Sequence, residues 1–146
     1  MPAAHFSDAV TSSATNLDQA WAGLQDPLTW ATVAGITEVS NATFDGGGNL
    51  TGYLFTAAVA GKEYAGKADV RLSSRPTDMV VHISTSEIAG TIAANLVPGQ
   101  DGVRVTITLD LQTRGLLAAM MFPLITGAIR NGLPEQVHQF AAHLAT

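Results

Sequence analysis

Residues 103–145, VRVTITLDLQTRGLLAAMMFPLITGAIRNGLPEQVHQFAAHLA, contain the change of pattern that decides the fold. From Val103 to Gln112 every second residue is Val, Ile or Leu, and the residues between them are polar or charged. This period of two predicts a β-strand with one face on the core and the other in water. From Arg114 to Ala145 the apolar residues recur instead at three- and four-residue spacing, which predicts a long C-terminal helix.

The predicted helix has an apolar stripe that should face the sheet. Pro123 and Pro134 interrupt it, and each proline lacks a backbone donor and clashes with the preceding turn. We therefore expect kinks or short breaks near both prolines. The stripe consists of Leu117, Met120, Met121, Leu124, Ala128, Leu133, Val137, Phe140 and Leu144.

The chain before this segment alternates apolar runs with turns that contain Gly, Pro, Asn or Asp, which favours antiparallel strands. Two short helices are predicted after the first strand, one from Thr15 to Asp26 and one opened by Pro27 that continues to Val33. Ala60–Lys62 forms one of the turns. The order predicts an α+β fold with a sheet of six to seven strands, at 5–13, 36–44, 50–60, 64–72, 79–85, 88–97 and 103–112.

Composition limits the possible functions. A chain of 146 residues favours a single domain, 1–146, and a hydrophobic fraction of 47% with 13% charged residues favours a packed core. The net charge of -5 and the scattered basic residues argue against nucleic-acid binding and against anionic membranes. The absence of cysteine excludes disulfides, thiolate metal sites and a cysteine nucleophile. We see no signal peptide or membrane-spanning run, and expect a cytoplasmic monomer or homodimer with at most transient membrane contact.

The order of elements and several short motifs resemble the helix-grip fold of the START/Bet v 1-like (SRPBCC) superfamily. Ala20-Trp21 followed by Asp26–Trp30 is similar to the stretch between that family's first two strands. Other motifs resemble the branch that contains the CoxG-like proteins of carbon monoxide dehydrogenase systems and the polyketide cyclase-like proteins, namely Tyr64–Lys67, Ile88–Gly90, Val103–Thr106 and Arg114–Ala118. The resemblance implies a curved sheet wrapped around the C-terminal helix, with an apolar tunnel between them. Such relatives bind lipids, sterols, quinones, plant hormones or polyketide intermediates.

Three functions are compatible with this resemblance. The leading hypothesis is binding or transport of a hydrophobic small molecule, without a cofactor or a metal. One alternative is an enzyme of the polyketide cyclase/dehydratase type, and the other is an accessory protein in the assembly of a molybdenum hydroxylase-type redox enzyme. The predicted ligand-binding residues are Trp30, Phe55, Tyr64, Val81, Ile83, Ile92, Val105, Ile107, Met120, Met121, Leu124 and Ile125.

The candidate acid/base residues are few. His82 lies in a predicted strand and faces water if Met79, Val81 and Ile83 face the cavity; in the reverse register it is the best acid/base candidate. Tyr64 either places its hydroxyl in the cavity or is a core tyrosine with the hydroxyl at the rim. No histidine forms a metal-binding pair with an acidic residue, and solvent exposure is expected for His138, His143, Glu87 and Asn95.

Overall fold

The computed structural model describes residues 3–31, 33 and 35–146, and gives residues 117 and 118 by their backbone alone. In chain order the elements are β1 (Ala3–Ser12), α1 (Leu17–Leu24), α2 (Pro27–Trp30), β2 (Ile36–Phe44), β3 (Leu50–Val59), β4 (Lys62–Ser74), β5 (Asp78–Thr85), β6 (Ile88–Gly99), β7 (Gly102–Thr113) and α3 (Leu116–Leu144). The predicted α+β class and the order of elements are confirmed.

The strands form one antiparallel sheet of seven strands in the order β1-β7-β6-β5-β4-β3-β2. The sheet curves around α3. Register shifts in β2 and between Val70 and Leu72 of β4 interrupt the pairing, and such bulges bend and twist a sheet. In β7 the predicted alternation is confirmed, because its Val, Ile and Leu side chains are buried.

Each of the two short helices begins directly after a residue whose side chain caps its N-terminus. The Asn16 side chain accepts a hydrogen bond from the Gln19 backbone N–H at 2.9 Å, and Asp26 accepts one from Leu28 N–H at 3.0 Å. Both side chains satisfy donors that a helix start leaves free. α2 ends at Trp30 rather than at Val33, and the predicted residues 32 and 34 of this region lie outside the described part.

We expected kinks or short breaks near Pro123 and Pro134; α3 is continuous through both prolines, so neither residue breaks it. Its C-terminal half is anchored by buried Leu133, Val137, Phe140 and Leu144. Two hydrogen bonds add to this anchor: Ser12 Oγ donates to the Ala141 carbonyl at 2.7 Å, and Gln19 Nε2 donates to the Ala145 carbonyl at 3.2 Å.

The N-terminal half of α3 faces the sheet with other residues than predicted. Met120 and Leu124 point to solvent, with 73% and 64% of their surface exposed, and Ala128 is exposed too. Ile125, which was predicted as a ligand-binding residue, is buried there together with Ile129, which was not predicted. Between Gly115 and Ile129 the helix carries no charged residue, so spacing alone did not show which apolar face meets the sheet. The side chain of Leu117, also expected in the stripe, lies outside the described part.

Candidate ligand cavity

An apolar cavity lies between the concave face of the sheet and α3. Its volume is about 30 Å³, which is space for about one or two water molecules. Side chains therefore fill most of the tunnel that the resemblance implies. The lining residues come from six strands and the helix: Ile36, Phe55, Ala57, Val59, Tyr64, Ile83, Thr85, Ile88, Leu111, Ile125 and Ile129.

The register of β5 decides which side chains point inward. Met79, Val81 and Ile83 are buried, so His82, between them, lies on the outer face of the sheet. It is paired across the strands with Asp69 on one side and Thr91 on the other. His82 is therefore removed as an acid/base candidate for chemistry inside the cavity.

The predicted ligand-binding residues divide into three groups. Phe55, Tyr64, Ile83 and Ile125 line the cavity. Trp30, Val81, Ile92, Val105 and Ile107 are buried in the core but are not among the lining residues. On α3, Met121 is half-buried, whereas Met120 and Leu124 are on the solvent side of the helix and do not line the cavity.

Several lining residues were missed by the sequence analysis. Ala57 and Val59 alternate in phase with Phe55 on β3, and Ile129 lies one helical turn after Ile125. These residues could have been found from the sequence, because each lies on the same face of its strand or helix as a predicted lining residue. Thr85, Ile88 and Leu111 are likewise in phase with predicted lining residues of their own strands. Ile36 is the first residue of β2, a strand on which no lining residue was predicted.

The Phe55 ring lies against the sheet side of the cavity because its cross-strand neighbour on β4, Gly66, has no side chain. A Cβ atom at Gly66 would lie 2.5 Å from Phe55 Cζ, so any other residue at this position would displace the ring. The Tyr53 ring packs against Phe55 at a centroid distance of 6.4 Å and an angle of 67°. The aromatic side chains of β3 thus occupy part of the space between sheet and helix.

Tyr64 places a polar group within this apolar lining. Only 5% of its surface is exposed, and its buried hydroxyl has no hydrogen-bond partner among the described residues. Leaving such a group unpaired costs about 1–3 kcal/mol. The hydroxyl of Tyr53 and the indole N–H of Trp21 are also buried without a described partner, but neither residue lines the cavity. Burial raises the pKa of Tyr53 far above its ordinary value.

Charged side chains lie at one end of the cavity, next to Tyr64, Thr85 and Ile88. Lys62 Nζ donates to Glu87 Oε2 at 2.5 Å, and it lies 5.3 Å from the centroid of the Tyr64 ring. The hydrogen bond and the charge of Glu87 raise the pKa of Lys62. Only 18% of the Glu87 side chain is exposed, so the expected solvent exposure of this residue was wrong.

None of the histidines, all four of which the structure describes, lines the cavity. His5 Nδ1 and Asp110 Oδ1 are 2.6 Å apart at the exposed face of β1 and β7. His138 is exposed as predicted, whereas His143 is half-buried, with Nε2 at 3.2 Å from Asp26 Oδ2. Within the described residues there is no cluster of three His, Asp or Glu side chains that could hold a metal ion. Asn95 is also half-buried and donates to Asp78 Oδ1 at 2.8 Å, which corrects its expected exposure.

Comparison with known proteins identifies the fold. No protein-family model matches the chain, and no curated protein is similar to it in sequence. Among solved structures, the ZhuI aromatase/cyclase from Streptomyces sp. R1128 has a TM-score of 0.74 at 15% identity, over 96% of this chain and 92% of that chain. A protein from Thermus thermophilus has a TM-score of 0.73 at 9% identity, over 98% and 97%. A START superfamily protein from Mycobacterium smegmatis has 0.69 at 12% identity, over 92% and 93%.

Similarity at this level of identity is a statement about the fold, and it does not separate the branches of the superfamily. The resemblance to the CoxG-like branch therefore stays a prediction. In the part of the chain that the structure describes, no helix has the length and hydropathy needed to cross a membrane. The strand order, the short helices after β1 and the long helix held by the curved sheet give this chain a helix-grip fold, similar to that of the START superfamily protein and of the aromatase/cyclase.

Proposed function

We propose that the protein binds an apolar small molecule between the sheet and α3. The observation that carries this proposal is the lining of the cavity, which is apolar except for Thr85 and the buried, unpartnered hydroxyl of Tyr64. A pocket of this kind binds by burial of apolar surface and orients its ligand through few polar contacts. A ligand oxygen that accepts a hydrogen bond from Tyr64 would remove the cost of the unpaired hydroxyl.

Binding requires the cavity to expand. Small-molecule sites occupy about 300–1,000 Å³, which is roughly ten times the cavity volume or more. Movement of the N-terminal half of α3 would break few buried contacts, because Leu116, Met120 and Leu124 are already 81%, 73% and 64% exposed. The sheet side of this half is held mainly by Ile125 and Ile129, whereas the C-terminal half is anchored by the buried side chains and hydrogen bonds described above.

Opening at this half would place an incoming ligand directly against the cavity. As the helix moves, Ile125 and Ile129 leave the lining, and the Phe55 ring gains room to rotate away from Gly66. The ligand then replaces the contacts that these side chains make with each other. The binding free energy depends on the difference between the contacts that the ligand makes and the contacts that the lining side chains give up. Binding is therefore favoured when the ligand buries more apolar surface than the opening of the cavity exposes.

Nile red, an uncharged apolar dye whose fluorescence rises in apolar surroundings, tests the proposal. The parent protein should bind it, and Ile129→Trp, which fills the cavity, should weaken binding at least tenfold. Leu124→Trp adds the same side chain on the solvent side of α3 and should leave the affinity unchanged. Phe55→Ala enlarges the cavity and should tighten binding of the dye. Absence of binding by the parent, or equal affinity in all four proteins, would overturn the proposal.

The enzymatic alternative has less support. With His82 on the outer face, Tyr64 is the remaining acid/base candidate in the lining, and its hydroxyl has no hydrogen-bond partner among the described residues. A tyrosine that acts alone as a general acid has no neighbouring group from which to regain its proton. An accessory role in the assembly of a redox enzyme rests on the resemblance alone, and no contact or surface of the described residues favours it.

A further inference from the structure

We infer that the polar group of the ligand is an uncharged carbonyl, whose oxygen accepts a hydrogen bond from Tyr64 inside the cavity. The inference rests on the proposed function and names the class of ligand, an apolar ketone rather than an alcohol, an amine or an acid. Among the described residues, the Tyr64 hydroxyl is the one side-chain group of the lining without a hydrogen-bond partner, and the charges at the end of the cavity are engaged.

The hydroxyl of Thr85, the other polar side chain of the lining, belongs to the turn between β5 and β6. Its oxygen accepts hydrogen bonds from the backbone N–H groups of Glu87 at 3.2 Å and Ile88 at 2.9 Å. It also donates to the Ile88 carbonyl at 3.2 Å. A hydroxyl has one proton to donate and two positions that accept, so these three hydrogen bonds leave nothing for a ligand.

The charged side chains near the cavity are engaged too. Lys62 Nζ lies 2.5 Å from Glu87 Oε2, so the two charges compensate each other, and neither residue is among those that line the cavity. Arg114 donates to Ser84 Oγ at 2.7 Å, and Ser84 points to the outer face because both of its neighbours in β5 line the cavity. A charged ligand group would therefore meet no free counter-charge among the described lining residues.

The backbone of the lining is used by the secondary structure. The lining residues of β3 to β7 lie in strands that have a neighbour on both sides, and Ile125 and Ile129 lie within the continuous α3. At the start of β2, the N–H of Ile36 donates to the Val33 carbonyl at 3.0 Å. The buried Tyr64 hydroxyl remains, with one proton to donate.

One free hydroxyl discriminates between ligand classes through the donors that each class brings. A carbonyl oxygen accepts the Tyr64 proton and has no donor of its own, so neither partner keeps an unpaired donor. With an alcohol, two hydroxyls face each other and form one hydrogen bond, which leaves one of the two protons without an acceptor. A buried donor without an acceptor costs free energy. An ammonium or carboxylate group adds a charge, whose burial without a counter-charge costs more.

Ligands that share one carbon skeleton test this order. Dibutyl ketone, the alcohol obtained by its reduction and the corresponding primary amine carry the polar group in the middle of the chain. This group therefore cannot stay in solvent while the chain is buried. Each ligand is titrated by displacement of Nile red, and the dissociation constant of the dye is measured for every variant. The parent should bind the ketone about tenfold more tightly than the alcohol, and the amine most weakly.

An isosteric alkene, in which a methylene group replaces the carbonyl oxygen of the ketone, isolates the contribution of Tyr64. Tyr64→Phe should weaken binding of the ketone severalfold and should not weaken binding of the alkene. Tyr53→Phe and Thr85→Val are the controls, since the first removes a hydroxyl outside the lining and the second a hydroxyl that the turn uses. Both should keep the parent's ratio of ketone affinity to alkene affinity.

The carbonyl stretching frequency of the bound ketone gives a second readout, which does not depend on affinity. In infrared spectra of the ketone labelled at its carbonyl carbon, the complex with the parent should show a lower frequency than the ketone in hexane, because the oxygen accepts a hydrogen bond. In the complex with Tyr64→Phe the frequency should return to the hexane value.

Three results would each overturn this inference and leave the proposed function standing. They are equal affinity of the parent for ketone and alcohol, equal weakening of ketone and alkene by Tyr64→Phe, and an unshifted carbonyl frequency in the parent. Failure of the parent to bind the dye, the ketone and the alkene would overturn the proposed function itself.

Discussion

The edge of the Trp30 indole meets the ring of Phe140, with 5.2 Å between the ring centroids and 76° between the planes. Trp30 Nε1 also donates to the Leu24 carbonyl at 3.0 Å, so the indole satisfies its polar atom while it is buried. This pair joins α2 to the C-terminal half of α3, away from the lining of the cavity. It is a structural anchor between α2 and the C-terminal half of α3.

Trp30→Ala should therefore destabilise the fold without a specific effect on ligand preference. Removal of a fully buried aromatic side chain costs about 3–5 kcal/mol, through lost burial and the void that remains. Unfolding by urea measures this change. Leu28→Ala removes an exposed side chain of the same helix and should change the free energy of unfolding by less than about 0.5 kcal/mol. Equal stability of the two variants would contradict the anchor.

Tyr64→Phe should separate stability from binding. The substitution removes a buried hydroxyl that has no described partner, so the ligand-free protein should be as stable as the parent or up to about 1 kcal/mol more stable. The affinity for an oxygen-containing ligand should fall severalfold, because the donor is lost. Tyr53→Phe is the control: it also removes a buried hydroxyl, but outside the lining, and it should leave the affinity unchanged.

Tyr53 should make the stability depend on pH in the alkaline range. Its pKa in the folded protein is raised by burial above the ordinary value of 10.0. The folded state thus keeps a proton that the unfolded state loses, so this contribution is fully present below pH ~10 and decreases as the pH rises further. Ultraviolet absorbance of tyrosinate in the Tyr64→Phe background reports Tyr53 alone. Ionisation of this tyrosine at its ordinary pH in the folded protein would contradict the prediction.

The strands were predictable because burial imposes a period of two that the sequence displays directly. Val103 to Gln112 alternates without exception, and the structure places its apolar residues inside. For β5 the sequence left two registers open for His82, and the structure decides between them because Met79, Val81 and Ile83 are buried. Caps such as Asn16 and Asp26 act within a few residues, which is why the helix starts were visible too.

The cavity was harder to predict because its residues meet through long-range pairing. The sequence pattern assigns Lys62 to a turn, whereas pairing of β4 with β3 extends the strand back to this residue and turns its side chain inward. Its partner Glu87 lies in the turn between β5 and β6, and no local pattern connects the two positions. On α3 the uncharged segment has apolar residues on all sides, so only packing decides that Ile125 rather than Leu124 faces the sheet.

Pro123 should set the rate at which ligand enters. Proline at this position removes a backbone donor in the half of α3 that covers the cavity, and its ring is exposed, so no buried contact depends on it. Pro123→Ala restores a donor toward the carbonyl of Ala119 and should stabilise the closed helix by about 1–3 kcal/mol. Opening then becomes slower, and the association rate with Nile red in stopped-flow fluorescence should fall by about fivefold to a hundredfold.

The affinity should change less than the rate, because the helix closes again over the bound ligand and the stabilised helix is present before and after binding. Pro134→Ala supplies the control. Pro134 is exposed and interrupts the same helix, but it lies in the anchored half, where an added hydrogen bond does not affect opening over the cavity. It should raise the stability by a similar amount and leave the association rate unchanged. Equal slowing by both substitutions would mean that the whole of α3, rather than its N-terminal half, must move to admit the ligand.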